Sequence, residues 1–336
     1  MKGFPSVKLA LPVLVAALAV PAAASAQVPT TPTPTPQPTP TPAPAGPAKA
    51  TLKVSLQAAG LRDHGRLYVL EGDRVLASGT LKPYVSGQKV LVEILRKGKR
   101  VARARVTVHK GGKFSARLRV RRIDGLVLRA THKKTSKQKG ANSKWVRFSA
   151  LTPSAHVGSG GEKVKLLQRG LARLAYVTPR GGSFDSATAR AVLAFRKVNK
   201  MARLSSANRT IFRMVFAGKG GYKLRYPNAG KHVEFDWSRQ VLVLARGGVP
   251  ERIYHASSGK PSTPTVFGTF RFYRKQPGTN SHGMVQSSYF IGGYAIHGYS
   301  SVPAYAASHG CIRVPIPNAL SIYRWINLGD RIFVYR

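Results

Sequence analysis

The single cysteine, Cys311, lies in Ser308-His309-Gly310-Cys311-Ile312-Arg313, and fourteen residues earlier His297 closes the run Tyr294-Ala295-Ile296-His297-Gly298. A thiol and two imidazoles in one short stretch suit nucleophilic catalysis. Such chemistry needs a base within hydrogen-bond reach of the thiol, a neighbour that orients the base, and backbone N–H groups aimed at the developing oxyanion. In that scheme Cys311 attacks, His297 takes its proton, and His309 holds geometry or charge. Gly310 lets the backbone turn so that N–H groups around Cys311 converge. Three plainer readings compete. The cysteine can be a small buried hydrophobe, and His309 can simply pack on a strand. His297, His309 and Cys311 can bind zinc, but no second cysteine pair or nearby carboxylate completes a usual set. Neither a metal nor a cofactor is expected.

The segments that must position these residues are short, aromatic or β-branched, and bounded by Gly, Pro, Ser or Asn. Strands are predicted at His232 to Asp236, Val241 to Ala245, Ile253 to Ala256, Phe267 to Tyr273, Tyr289 to His297 and Arg331 to Tyr335. One helix, from about Asn318 to Ile326, carries Ala319, Ile322, Tyr323 and Ile326 on one face and is closed by Gly329. This region, 231–336, reads as a mostly-β domain with one packed helix.

Upstream, over 157–220, the period becomes helical. Ser159-Gly160-Gly161-Glu162 fits a capping box ahead of Val164, Leu167, Leu171 and Leu174. Asp185 is a predicted N-cap for a second helix with Ala191, Ala194, Phe195 and Val198 as its buried stripe. Over 49–151 the period is two: Phe114, Ala116, Leu118 and Val120 alternate with Ser115, Arg117, Arg119 and Arg121. Turn signals at Gly72-Asp73, Ser86-Gly87, Lys97-Gly98 and Gly111-Gly112 recur at sandwich spacing, so an immunoglobulin-like β-sandwich is expected. The fold class is therefore multidomain and mainly β.

The first 26 residues read as a signal peptide: Lys2 and Lys8 flank the n-region, Leu9 to Val20 is a short apolar run, and Ala24-Ser25-Ala26 offers a cleavage site. A retained anchor is the alternative, although Pro12 interrupts a run well short of the roughly 20 residues that span a bilayer. Residues 27–48 form a Thr/Pro-rich linker suited to an extended tether rising about 3.1 Å per residue. No later segment approaches membrane-spanning length, so a secreted or envelope protein is expected, in the cell wall or periplasmic space. The net charge of +44, from 55 basic and 11 acidic side chains, selects anionic partners. Export argues against nucleic acid and leaves anionic wall polymers, acidic headgroups and carboxylate-bearing peptides. Nineteen Lys or Arg residues face one acid, Asp124, between Arg96 and Arg147, which is either a polymer-binding surface or a solvated face. A lone cysteine outside the cytoplasm forms no internal disulfide, and a free thiol there is a liability unless it is used.

Two resemblances extend these readings. The order His-Gly, a loop, then Ser-His-Gly-Cys-x-Arg resembles the YkuD-type L,D-transpeptidase catalytic domain, as do Ser257-Ser258-Gly259, Ser262-Thr263-Pro264-Thr265 and Gly268-Thr269-Phe270. The likeness covers about 231–336, with a His-to-Cys loop shorter than in some members. It implies a thiol that attacks a peptidoglycan stem peptide between its third, diamino acid residue and D-alanine, and then passes the acyl group to an amine on a second stem. Carried over by position, Cys311 is the nucleophile and His297 the base; Ser308, His309, Gly310 and Gly298 shape the site and its oxyanion hole. Arg313 orients the loop or a substrate carboxylate. The implied lid lies between Phe272 and Tyr289, marked by Pro277-Gly278, His282-Gly283 and Met284, while Tyr289, Tyr299 and Tyr305 either line the donor groove or pack. The implied partners are peptidoglycan stem peptides, with carbapenem-type β-lactams as inhibitors. Water in place of the amine makes the enzyme an L,D-carboxypeptidase; the remaining class is a non-catalytic basic wall-binding scaffold. Pairing with His297 or the loop amides would bring the thiol below the free value of about 8.5.

The second resemblance rests on Val164-Lys165-Leu166-Leu167-Gln168, Leu171, Gly182, Phe184-Asp185, Thr188, Ala191-Val192 and Phe195. These residues are similar to the small three-helix peptidoglycan-binding domain found beside many wall hydrolases. Arg196 stands where that family usually carries Gln, and Met201 to Asn208 lacks its usual Gly-Leu turn.

Overall fold

Alternation of apolar and basic residues from Thr51 onward builds strands with one wet face. The computed structural model describes residues 46–336 apart from Arg122, so the predicted leader and most of the Thr/Pro segment lie outside the described residues. The first ten strands are β1 (Thr51–Gln57), β2 (Leu61–Asp63), β3 (Arg66–Leu70), β4 (Arg74–Lys82), β5 (Lys89–Arg96), β6 (Lys99–Thr107), β7 (Lys113–Arg119), β8 (Asp124–His132), β9 (Ala141–Asn142) and β10 (Val146–Leu151). They form a three-stranded sheet, β1-β4-β7, and a seven-stranded sheet, β2-β3-β10-β8-β5-β6 with β9 on β8. In β7 Phe114, Ala116 and Leu118 are buried while Lys113, Ser115, Arg117 and Arg119 are exposed. The inward faces of both sheets share one core containing Val69, Leu81, Val90, Val92, Ile94, Leu128 and Phe148.

Three helices follow: α1 (Glu162–Arg173), α2 (Ser186–Val198) and α3 (Arg209–Phe216). Asp185 caps α2 by accepting from the Thr188 N–H at 2.8 Å, and Asn208 caps α3 by accepting from the Ile211 N–H at 3.2 Å. The predicted capping box on α1 does not form. Gly161 is the N-cap and Glu162 the first helical residue, so Ser159 lies too far upstream and instead accepts from the His156 N–H at 3.0 Å. The helical core is not self-contained. Leu167, Leu171, Phe195 and Phe212 pack in one cluster with Val243 and Ile253 on one side and Tyr68 and Leu70 on the other. Arg196 is buried and ties down the segment that lacks the Gly-Leu turn: it donates to Ser206 O at 2.9 Å and Ala202 O at 3.2 Å.

The C-terminal region contains β11 (His232–Asp236), β12 (Val241–Arg246), β13 (Val249–His255), β14 (Gly268–Arg271), β15 (Arg274–Thr279), β16 (Val285–Ile291), β17 (Tyr294–Tyr299), β18 (Ile312–Pro315), α4 (Ile316–Trp325) and β19 (Arg331–Tyr335). A five-stranded sheet, β13-β12-β11-β19-β14, and a four-stranded sheet, β15-β16-β17-β18, share a core with α4. Two predicted elements change. The run from Tyr289 to His297 is not one strand but a hairpin, because Gly292-Gly293 turns the chain and sets Ile291 opposite Tyr294. The helix starts two residues early, since Pro317 fits its first turn, where no intrahelical N–H is needed. Among the described residues no helix is long and apolar enough to cross a membrane.

Candidate active site

β17 and β18 run parallel, with Ile296 opposite Ile312 and His297 opposite Arg313. Parallel neighbours need a crossover, and here it is the loop 300–311, which delivers Cys311 one residue ahead of β18. That loop is tied down along its length. Ser257 Oγ donates to Tyr305 O at 2.6 Å, the Ala307 and Ser308 N–H groups donate to Ser258 O at 2.7 and 2.8 Å, and Thr263 Oγ donates to Ser308 O at 3.0 Å. Thr265 Oγ reaches Gly310 O at 2.6 Å, and Ser308 Oγ donates to Cys311 O at 2.6 Å while accepting from the Gly310 N–H at 3.1 Å. Gly310 has φ of 121°, and a Cβ there would lie 2.5 Å from Tyr294 Cε1, so the turn before the thiol admits only glycine.

A second set of contacts reaches the loop from α2. Lys197 Nζ, 2% exposed as a residue, lies 3.1 Å from Gln240 O, 3.0 Å from Ala256 O and 2.8 Å from His255 Nδ1. His255 Nε2 is 2.8 Å from Val302 O, a carbonyl, so it carries the proton and Nδ1 accepts. Three acceptors around Nζ call for three N–H groups, which favours the ammonium and opposes the burial that pulls its pKa down to about 6. Arg203 adds a clamp, donating to Ala304 O at 2.7 Å and Ser238 O at 3.0 Å.

Cys311, His297, Ser308, His309, Tyr299 and Arg313 line one pocket of about 330 Å³, joined by His282 and Met284 from the β15–β16 hairpin. The hairpin tip is closed by Asn280, whose Oδ1 accepts from the His282 and Met284 N–H groups at 3.0 Å each. His297 is 3% exposed, and its Nδ1 lies 2.9 Å from Gly298 O. That carbonyl can only accept, so Nδ1 holds the proton and Nε2 is left as the free basic nitrogen. Gly298 thus orients the imidazole through its backbone. The Cys311 thiol is half-buried and donates to Gly293 O at 3.6 Å.

Electrostatics keep both groups neutral. Burial pushes His297 down to about 4, with the Gly298 bond opposing and Arg313 adding to the shift. Burial pushes the Cys311 thiol up, opposed by a backbone hydrogen bond from Ala295 and by the Arg313 charge. The expected lowered thiol is therefore corrected: loss of solvent around the sulfur outweighs the nearby cation and amide.

Other predicted roles shift too. His309 lines the pocket from an exposed position and has no hydrogen bond among the described residues, so Ser308, Thr263 and Thr265 hold the loop. The Gly310 N–H is engaged by Ser308 and is not free for an oxyanion. Tyr299 lines the pocket, edge-on to His297 at 5.7 Å and with the Arg313 guanidinium 4.0 Å from its ring centroid. Tyr289 does not line it: its ring is buried under Arg274 at 4.0 Å and its hydroxyl donates to Gln276 Oε1 at 2.8 Å. Tyr305 is 63% exposed, and only its carbonyl, held by Ser257, serves the loop. Sequence reasoning used His282 and Met284 as markers of the implied lid without giving them a place in the site, and passed over Lys197 and His255, because nothing local distinguishes them from surface or strand residues. No group of three or more His, Cys, Asp or Glu side chains gathers to hold a metal among the described residues.

The model of the L,D-transpeptidase catalytic domain, YkuD, matches residues 230–334. No curated protein matches the chain. Among solved structures, an L,D-transpeptidase from Xylanimonas cellulosilytica is 32% identical, with 55% of this chain and 98% of that one covered and a TM-score of 0.51. An L,D-transpeptidase from Stackebrandtia nassauensis is 20% identical over 55% of this chain and 98% of its own, with a TM-score of 0.35. The catalytic domain of an E. faecium L,D-transpeptidase acylated by ertapenem is 24% identical over 32% of this chain and 97% of its own, with a TM-score of 0.28. The pocket that gathers the thiol and the imidazole lies inside the matched domain, and this chain belongs to the L,D-transpeptidase family.

Proposed function

We propose that this protein is a peptidoglycan L,D-transpeptidase that cross-links diamino acid residues of neighbouring stem peptides through a Cys311 acyl-enzyme. The observation that carries the reading is the shared pocket of Cys311 and His297, with His297 Nδ1 bonded to Gly298 O and Nε2 left to act as base. The thiol proton passes to Nε2 as sulfur bonds to the carbonyl carbon of the third residue. Collapse of the tetrahedral adduct breaks the C–N bond, and the imidazolium gives its proton to the leaving D-alanine amine. In the second half an acceptor amine attacks the thioester, the C–N bond forms, the C–S bond breaks, and the amine proton returns through His297 to sulfur. Arg313, inside the pocket, supplies the charge for a donor carboxylate, and His309 and Tyr299 contact the donor stem.

The same reading assigns the other segments. Residues 1–26 direct export and 27–48 tether the folded part, which places the enzyme in the cell envelope. Residues 49–151, the basic sandwich, grip anionic wall polymers; residues 157–220 form a peptidoglycan-binding-like helical domain; residues 231–336 carry the chemistry. Carbapenem-type β-lactams acylate Cys311, the strained lactam carbonyl taking the place of the stem-peptide carbonyl in the thiol's attack.

Purified protein with a disaccharide tetrapeptide tests the proposal. Release of D-alanine with formation of a dimer, both lost in Cys311→Ala, is the expected result. D-alanine release with only shortened monomer assigns L,D-carboxypeptidase activity instead. Absence of both products, together with no covalent carbapenem adduct, leaves the non-catalytic scaffold.

A further inference from the structure

A cleft of about 380 Å³ lies between α2 and the C-terminal domain, lined by Arg190 and Leu193 on the helical side and by Tyr299, Ser300, Val302 and Ile316 on the other. Tyr299 also lines the thiol pocket, so one residue borders both cavities. Arg313 stands over its ring in the thiol pocket, and Arg190 lies on the cleft side. Arg190 is half-buried, and among the described residues the opposite charge acting on it is Asp185 across space. Asp185 is already engaged, its Oδ1 accepting from the Thr188 N–H at 2.8 Å and from the Thr188 hydroxyl at 2.9 Å. A guanidinium so placed, beside a partly apolar wall, matches a carboxylate on a peptide with small aliphatic side chains. Beside the cleft the Lys197–His255–Val302 contacts tie α2 to the loop that leads to Cys311, and Arg203, beyond the end of α2, clamps the same loop.

We propose that this cleft is a second substrate subsite, in which Arg190 holds a carboxylate of the stem peptide that donates the attacking amine. The inference rests on the transpeptidase reading. Transfer between two stems requires two peptides beside one sulfur. The thiol pocket receives the acyl donor, and the cleft across Tyr299 brings the acceptor alongside it, one guanidinium to each stem.

The test uses the full chain and disaccharide tetrapeptide at varied concentration, comparing wild type, Arg190→Ala and Arg190→Lys. Loss of one charge-assisted contact raises the acceptor KM about tenfold in Arg190→Ala. The product shifts from dimer toward hydrolysed monomer, the rate of carbapenem addition to Cys311 holds, and Arg190→Lys recovers part of the dimer. An unchanged acceptor KM, or an equal loss in the carbapenem step, overturns the subsite. If wild type neither releases D-alanine nor takes the drug, the transpeptidase reading fails on its own, and the cleft is judged by calorimetric titration of Cys311→Ala with tetrapeptide. Two sites, one weakened about tenfold by adding Arg190→Ala, support the cleft; a single site or unaltered affinity overturns it.

Discussion

The resting Cys311–His297 pair is expected to be neutral rather than a thiolate–imidazolium pair, and pH separates the two states. Burial raises the thiol above its ordinary value, so the neutral thiol predominates at pH 7. Burial takes His297 to about 4, so the imidazole is an unprotonated base throughout the neutral range. Alkylation by iodoacetamide, which reports thiolate alone, should therefore rise about tenfold per pH unit between about pH 6 and about pH 8, with no plateau below about pH 9. Carbapenem acylation draws on His297 as base and should instead climb through about pH 4 and stay level to about pH 8. His297→Gln should lower acylation by about 10² to 10⁴ while leaving the alkylation profile nearly in place. An alkylation plateau already reached near pH 6, and abolished in His297→Gln, would refute the neutral pair and show that the two side chains exchange a proton before substrate arrives.

Gly298→Ala should melt earlier and lose activity out of proportion: its Cβ would stand 2.7 Å from Ala319 Cβ and 3.2 Å from Val285 Cβ, an overpacking cost of about 1–3 kcal/mol that also displaces the carbonyl orienting His297. Circular-dichroism melts beside acylation rates check it, and equal activity at lowered stability would deny the orienting role. Lys197→Met leaves Gln240 O, Ala256 O and His255 Nδ1 buried without a donor, at about 1–3 kcal/mol each, offset in part by removal of a buried charge. Urea denaturation should show a net loss, and unchanged stability would mean that the ammonium is not needed. His297, with its folded pKa about 4 against 6.5, takes up its proton more readily in the unfolded chain. Its contribution is complete above about pH 6.5 and is lost as pH falls toward about 4, on the order of 3 kcal/mol. The buried His255, lowered to about 3, acts in the same direction. A denaturation series in acid should be flatter for His297→Gln, and identical slopes would refute the shift.

Local signals were sufficient where one short stretch of chain decides the outcome. The alternation through Phe114, Ala116 and Leu118 fixes which face of β7 is buried, because side chains on a strand alternate whatever the partner. Asp185 announces α2 for a similar reason, its oxygen meeting an N–H three residues on. The Gly292-Gly293 hairpin was missed and read as one strand, because the β-branched and aromatic residues on both sides outweighed the turn signal of the glycine pair. The spacing from His297 to Cys311 marks two chemically able residues close in sequence, but a thiol and an imidazole fit zinc binding or plain packing as well, and acyl transfer was implied by the resemblance of the surrounding motif.

Tertiary structure decided the rest. That the orienting partner of His297 is a backbone carbonyl has no residue type to betray it. Tyr299 meets the pocket while Tyr289 and Tyr305 do not, a difference set by strand pairing and loop path rather than by the identical side chain. Lys197 and His255 are 58 positions apart and meet only because α2 docks on β13. The sign of the thiol shift depends on how much water the folded pocket removes from the sulfur, a quantity that no neighbour in sequence sets. Residue types determine which reactions are possible, since functional-group chemistry is local; burial, orientation and proton position arise from contacts between distant segments, and only the folded chain has them.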